Sequence, residues 1–584
     1  MYNPNSATER IKNHLAYKLG QAMINFTNSS SGGGGYIALF KKLYKIKKQH
    51  KKEQKIYQQT IQVFPQLKYP SLEACSDYEQ ALKYKFHLSY MLGEVLIKAY
   101  QTWYKGSGFK LKNDIKKANK EFQIFREIFK EFDQINSSIL QGLIDNKQLL
   151  LKEFPRIKNI LKIHQDYQPI LDNIFHNFNY FIQNFDFIEE WLLSDDFKER
   201  YKKENHPYPS LLDPKKLNDE NEKINYHNIP AELAWDMNLP LPDKYKFVFM
   251  GYGLSGHAAL YNFFNRLIFC INWKNYTTKD IYENRKESYL FIPIHDLRDI
   301  ENIKIFLYKL NNQPVVILLR DPIERLKHAF NHGWYKNNKQ KAFDRYELDD
   351  SIDIILDRVA YNDKNDKNKV VKIFDFWLSN ACFDYVVFIN IIKTSIIFVD
   401  MKDIMPDKAF DTMIDLSKQL NINPPQYHEK KYFCEIKNSV FKYILPITLH
   451  YKNIVFFITL KQEKPNKNIE LNFINHNILK LVAISIKVQN VVGFNFIMKK
   501  EQDYLISFFI NFLNKLEIKV KNIKSLYIKE EEVLSISRSN FFLRNKLHVK
   551  MFSEYKELKK FCPDIVASWK YYQEFEKMCK ELDG

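Results

Sequence analysis

An α/β domain on a parallel sheet, preceded by an all-α domain and carrying a β-rich insertion or extension, is the fold class this sequence predicts. Three observations predict it. From about residue 36 to 195, apolar residues recur at three- and four-residue spacing, the helical period. From 246 to about 425, short apolar runs alternate with helical patterns, as strands joined by crossover helices do. From 440 to about 498, short strand-like runs dominate. The expected division is 1–204 as a helical accessory domain, 205–245 as a linker and 246–584 as the α/β domain, with its β-rich segment at about 436–498. At 584 residues, 45% hydrophobic and 15% aromatic, the chain has material for more than one core.

Lys+Arg 88 against Asp+Glu 69 leaves a net charge of +19, a balance suited to an anionic partner. No compact arginine patch or nucleic-acid motif accompanies it, so nucleic acid is not the expected partner. The six cysteines are scattered, without a Cys-x-x-Cys pair. That usage and an N-terminal stretch without an apolar secretory core point to the cytoplasm. The most apolar later stretch, 440–460, holds Lys442, Pro446, His450 and Lys452, which reads as two strands rather than a membrane span. No His/Cys set or acidic cluster has metal-ligand spacing.

In chain order, Ser6 and Glu9 form a capping-box pattern ahead of a helix with Ile11, Leu15, Leu19 and Met23 on one face. A Ser/Gly loop follows, with four glycines from Gly32 to Gly35. If a guanine run encodes them, replication slippage would switch expression on and off; mixed codons would remove that idea. Lysine-rich text at 41–55 reads as the solvated face of a helix. Pro65, Pro70 and Pro155 punctuate the helical part, and prolines cluster again from Pro207 to Pro242, in the expected linker. Strands are expected at 247–250, 289–294, 314–319, 385–389 and 396–399. A turn is expected at Pro465, helix returns from Lys500, and the last helix, 555–582, is amphipathic.

Three stretches carry chemistry. The run Gly251-Tyr252-Gly253-Leu254-Ser255-Gly256-His257 sits between an apolar strand and the helical pattern of Leu260, Phe263 and Phe264. A glycine turn there lets backbone N–H groups and the helix dipole meet a phosphate. His295 and Asp296 follow the second strand, at the sheet edge where α/β proteins bind ligands. A histidine there has the pKa to accept a proton from a hydroxyl. Arg320-Asp321-Pro322 ends the third strand and opens a helix bearing Arg325, Lys327, His328 and His332. Arg320 offers a planar fork for phosphate, whereas a local pair with Asp321 or Glu324 suits Arg325 better.

In this order the three stretches resemble the sulfotransferase superfamily, a P-loop-like parallel-sheet fold. The corresponding residues are Gly253 to His257, His295 and Arg320 to Arg325, and Ile397 to Ile404, followed by a helix, resembles that fold's last core strand and acidic turn. The family's loop lysine is Leu254 here, and its serine eight residues beyond the arginine is His328. The whole chain also resembles capsule-locus transferases that attach O-methyl phosphoramidate to capsular sugars. That second resemblance rests on the opening Ser6 to Gln21, the glycine run, the text Tyr36 to Tyr44, and above all the α/β part.

The resemblance implies transfer of a phosphoramidate from a 3′-phosphorylated cytidine diphosphate carrier to a sugar hydroxyl, with no other cofactor. It implies His295 as general base and Lys327 or His257 stabilising leaving-group charge. Gly253, Ser255, Gly256 and His257 would hold the diphosphate, and Arg320, Arg325 and His328 the 3′-phosphate. The expected acceptor is capsular polysaccharide or its lipid-linked precursor. Capsule-assembly proteins at the cytoplasmic face of the inner membrane are further expected partners, with loose attachment to that face through charge. A polysaccharide sulfotransferase and a non-catalytic assembly scaffold are the alternatives.

Overall fold

A computed structural model describes residues 3–28, 35–102, 107–131, 137–270, 282, 290–295, 300–335, 345–379, 385–434, 440–460, 469–470, 476, 484–489 and 491–583. The chain divides into two compact units, Met1–Pro240 and Leu241–Gly584.

Every regular element described in the first unit is helical. Ser6 caps the first helix by accepting from Glu9 N, while the Glu9 carboxylate takes Asn3 N instead of closing the box. Asp77 supports the same helix start, accepting from Ser6 Oγ and from the N–H groups of Ala7 and Thr8. The face expected to run on through Leu15 is broken at Asn13, between helices Ala7–Lys12 and Leu15–Asn28. The second of these crosses Leu88–Gln101 at very close range. A Cβ on Gly20 would stand 1.7 Å from Ser89 O, and one on Gly93 1.7 Å from Ala16 O. Only glycine allows that approach, as in small-x-x-x-small helix pairs.

The proline-rich stretch expected as a linker is folded instead. Asn173 Nδ2 donates to the carbonyls of Pro209 and Met237, and Trp191 Nε1 donates to Ser210 O. Leu211, Leu212, Leu217, Ala234 and Met237 are buried. Proline denies the segment long helices, but buried amides satisfy its backbone from the side. It therefore adds to the core of the first unit up to Pro240.

Among the described residues, the second unit holds two five-stranded sheets. The first uses β1 (Tyr245–Gly251), β2 (Phe269–Cys270), β3 (Leu290–His295), β4 (Val315–Leu319) and β8 (Ile396–Asp400). Their order is β2-β3-β1-β4-β8, and every neighbouring pair is parallel. All five residues of β4 are buried, as strands covered on both faces require. On one face Phe247 and Phe249 pack with Leu260, Phe263 and Phe264 of the helix His257–Leu267, labelled α1, and with Phe410 and Met413 of Ala409–Gln419. Val248 and Met250 alternate to the opposite face and are equally buried. The apolar run 385–389, expected as a strand, is a short helix, Tyr385–Ile389. A five-residue apolar run fits either period. Here Glu554 accepts from Val386 N at the helix start, and the Tyr385 hydroxyl donates to Leu318 O.

The second sheet has the order β11-β12-β10-β9-β6: Ile469–Glu470, Ile484–Gln489, Ile454–Leu460, Ile447–Tyr451 and Arg345–Glu347. The two strands expected within 440–460 are its β9–β10 hairpin. Residues Trp334–Tyr335 (β5) and Val359–Ala360 (β7) pair separately. The β layer ends at Gln489, and helix resumes at Val491 rather than Lys500. Leu505, Phe509, Phe512 and Leu516 of that helix line up at helical spacing in the core beside the sheet. The turn expected at Pro465 lies outside the described residues. The expected last helix is interrupted at Cys562: Phe541–Phe561 ends there, and Lys570–Asp583, labelled α3, begins after Trp569.

Candidate functional site

The parallel register fixes which residues meet at one sheet edge. Gly251, the last residue of β1, pairs with His295 of β3 and Leu318 of β4, and Leu318 with Val399 of β8. The strand after β1 lies to one side of it and β4 to the other. That is the topological switch point, the place where open α/β sheets bind ligands.

Beyond Gly251 the loop turns sharply. Leu254 has φ +68° and Gly256 φ +96°, both in the left-handed region. A Cβ on Gly256 would lie 2.1 Å from Met401 Sδ, so the loop rests on the turn after β8. Ser255 is fully buried, and its hydroxyl donates to Tyr252 O at 2.5 Å. Its backbone N–H donates to the same carbonyl at 3.4 Å, so both donors of Ser255 are engaged within the loop. Gly256 caps α1 without a side-chain acceptor, so the helix presents its positive end at this edge.

Two arginines beyond β4 brace the loop. Arg320 Nη1 donates to Leu254 O at 3.1 Å, and Arg325 Nη2 to Gly253 O at 3.3 Å. Peptide planarity then turns the N–H groups of Leu254 and Ser255 away from the arginines. The local ion pair expected for Arg325 belongs to Arg320: its Nε donates to Glu324 Oε2 at 3.1 Å, four residues on. Arg325 is buried, with its guanidinium 5.3 Å from the centre of the Tyr252 ring. These two side chains belong to or adjoin the helix Pro322–Phe330, labelled α2.

The remaining expected residues fall as follows. His257 is 3% exposed, and its ring stacks on Phe249 with the centroids 4.6 Å apart. Lys327 pairs with Glu530 at 2.6 Å, on the helix Glu530–Ser539. Burial, then the charges of Arg320, Lys327 and His332, push His328 down to about 2. Its imidazole is thus neutral and offers one N–H rather than a positive charge. His295 closes β3 by its backbone position, and Asp296 lies outside the described residues.

Asp321, expected in the turn into α2 and as one local partner for Arg325, does more. Its carboxylate caps two helices at once. One oxygen accepts from Ile323 N of α2, the other from Tyr571 N and Tyr572 N of α3. Burial lifts its carboxyl to about 6, against the pull of these hydrogen bonds. Asp400, at the end of β8, holds the Trp569 indole N–H at 3.0 Å. Two buried aspartates at the sheet edge thereby fix the start of the C-terminal helix. The Asp-Pro signature announces the α2 cap, but no local pattern announces a partner about 250 residues away.

Among the described residues, no group of three or more His, Cys, Asp or Glu could hold a metal ion. Also among them, no helix is long and apolar enough to cross a membrane.

Residues 1–124 match a domain of unknown function (DUF8374), and residues 398–582 match a protein of unknown function (DUF2972). The second match begins inside β8 and takes in β9 to β12 of the second sheet, but not β6, together with the C-terminal helices. Neither match includes the glycine loop, His295 or Arg320. No curated protein and no solved structure matches the chain.

Proposed function

We propose that the second unit is a sulfotransferase-like P-loop transferase that moves an O-methyl phosphoramidate group from a 3′-phosphorylated cytidine diphosphate carrier to a capsular sugar hydroxyl. The observation that carries this reading is the row His295–Gly251–Leu318 at the switch point, with Arg320 and Arg325 gathered on the same loop. The sugar hydroxyl attacks phosphorus, and its proton passes to His295. The bond from phosphorus to the carrier's bridging oxygen breaks, and its electron pair leaves with the diphosphate. The diphosphate lies against the N–H groups at the start of α1. The 3′-phosphate lies beside Arg320 and the neutral His328. Lys327 reaches the leaving group only when released from Glu530. The reaction belongs in the cytoplasm, with a polymer or lipid-linked acceptor presented by capsule-assembly proteins at the inner membrane. Such transfer depends on positioning and charge stabilisation.

A second reading, a non-catalytic scaffold, is favoured by the Arg320–Glu324 and Lys327–Glu530 pairs, which already neutralise two cations, and by Leu254 where the resembled family has lysine. Phosphorus NMR of donor plus capsular acceptor separates the two. Transfer by the native chain, lost in His295→Ala with donor binding kept, supports the enzyme. No transfer and no donor affinity supports the scaffold, and near-normal turnover by His295→Ala removes the assigned base.

A further inference from the structure

The helix Gly35–Val63 of the first unit spans 29 residues, and none of its residues whose burial is described is fully buried. One side rests on its own unit. Leu39, Leu43 and Ile46 are partly buried there, Glu53 meets Lys18 at 3.6 Å, and the ring of Tyr57 stacks on Tyr69 at 4.2 Å. The side turned away carries large apolar groups in its first turns. Ile37 is 71% exposed, Phe40 60% and Tyr44 69%, at i, i+3 and i+7, so they form one stripe. Directly after and beside them come eight lysines between 41 and 55, against the single acid Glu53. Lys41, Lys45, Lys48 and Lys52 lie along one flank of the apolar stripe, all exposed.

We infer that this helix lies on an anionic lipid bilayer, with Ile37, Phe40 and Tyr44 between the headgroups and the lysines on lipid phosphates. Charge complementarity selects this occupant. A nucleic acid would satisfy the lysines and leave three apolar side chains in water. A purely apolar protein groove would cover the stripe and leave the lysines unmatched. A bilayer of acidic lipid satisfies both, and an interfacial helix with one apolar and one lysine-rich face is the form such binding takes. The inference concerns the first unit alone and stands whether or not the second unit is a transferase.

Flotation of the full chain with vesicles tests it. Vesicles of phosphatidylglycerol mixed into phosphatidylcholine should carry the protein upward, and pure phosphatidylcholine should not. Salt of about 1 M, which cuts the screening length to roughly 3 Å, should release it. The triple change Ile37→Ser, Phe40→Ser, Tyr44→Ser and the quadruple change of Lys41, Lys45, Lys48 and Lys52 to Gln should each weaken partitioning by about tenfold or more. All seven side chains are exposed, so circular dichroism should be unchanged. Equal flotation of either variant and the native chain would overturn the inference. So would equal binding to neutral vesicles, or retention on a DNA column without any flotation.

Discussion

Gly256→Ala is the sharpest test of how the phosphate-loop candidate is held. Two costs can be worked from the structure. Alanine at φ +96° is strained by about 1–2 kcal/mol, since a Cβ disfavours the left-handed region. The new Cβ would also meet Met401 Sδ at 2.1 Å. Met401 has a flexible thioether, so moving it aside costs about 1 kcal/mol in rotamer strain. The sum is about 2–3 kcal/mol, concentrated in the second unit. Urea unfolding of the full chain, followed through tryptophan emission and resolved into its transitions, reads this loss. The Gly256→Ala, Met401→Ala double variant should recover the steric share and keep the backbone share, a coupling of about 1 kcal/mol. If Gly256→Ala unfolds at the native urea concentration, or Met401→Ala restores nothing, the loop does not rest on the β8 turn as described.

Gly20→Ala should destabilise the first unit by about 3 kcal/mol, because the Cβ would strike the backbone oxygen of Ser89, which cannot rotate aside; an unchanged thermal midpoint would contradict the close crossing. Asp321 gives a pH signature. Its folded-state value, about 6, lies above the ordinary carboxylate range, so between about pH 4 and 6 the native chain holds a proton that the unfolded chain lacks. Its contribution to stability therefore falls as pH rises through that window, by up to about 3 kcal/mol. Asp321→Asn should flatten this part of a pH series of unfolding midpoints; an identical slope would show that the carboxyl titrates near its ordinary value.

Strands β1, β3, β4 and β8 were legible as short apolar runs between helical patterns, the inner ones buried on both faces. The helix Tyr385–Ile389 was not, since its apolar run lacks a period and its start is set by Glu554, far along the chain. Residues 205–240 misled for another reason: proline clusters mark irregular backbone, and irregular backbone can still be buried when side-chain amides such as Asn173 satisfy it. At the candidate site, residue types and edge position were readable for Gly253, Arg320 and His295. Side-chain partners were not. Helix phase brings Glu324 to Arg320 and turns Arg325 toward Gly253 O. Glu530 and Tyr571 reach α2 or its cap from more than 200 residues away, beyond any local pattern.

Calorimetric titration of the full chain with 3′-phosphocytidine 5′-diphosphate tests the central assignment most directly. Saturable binding to the native chain is expected, weakened about tenfold to a hundredfold in Arg320→Ala, as loss of a charge-assisted phosphate contact requires. No binding by the native chain, or binding indifferent to Arg320→Ala, would mean that this sheet edge does not hold the nucleotide.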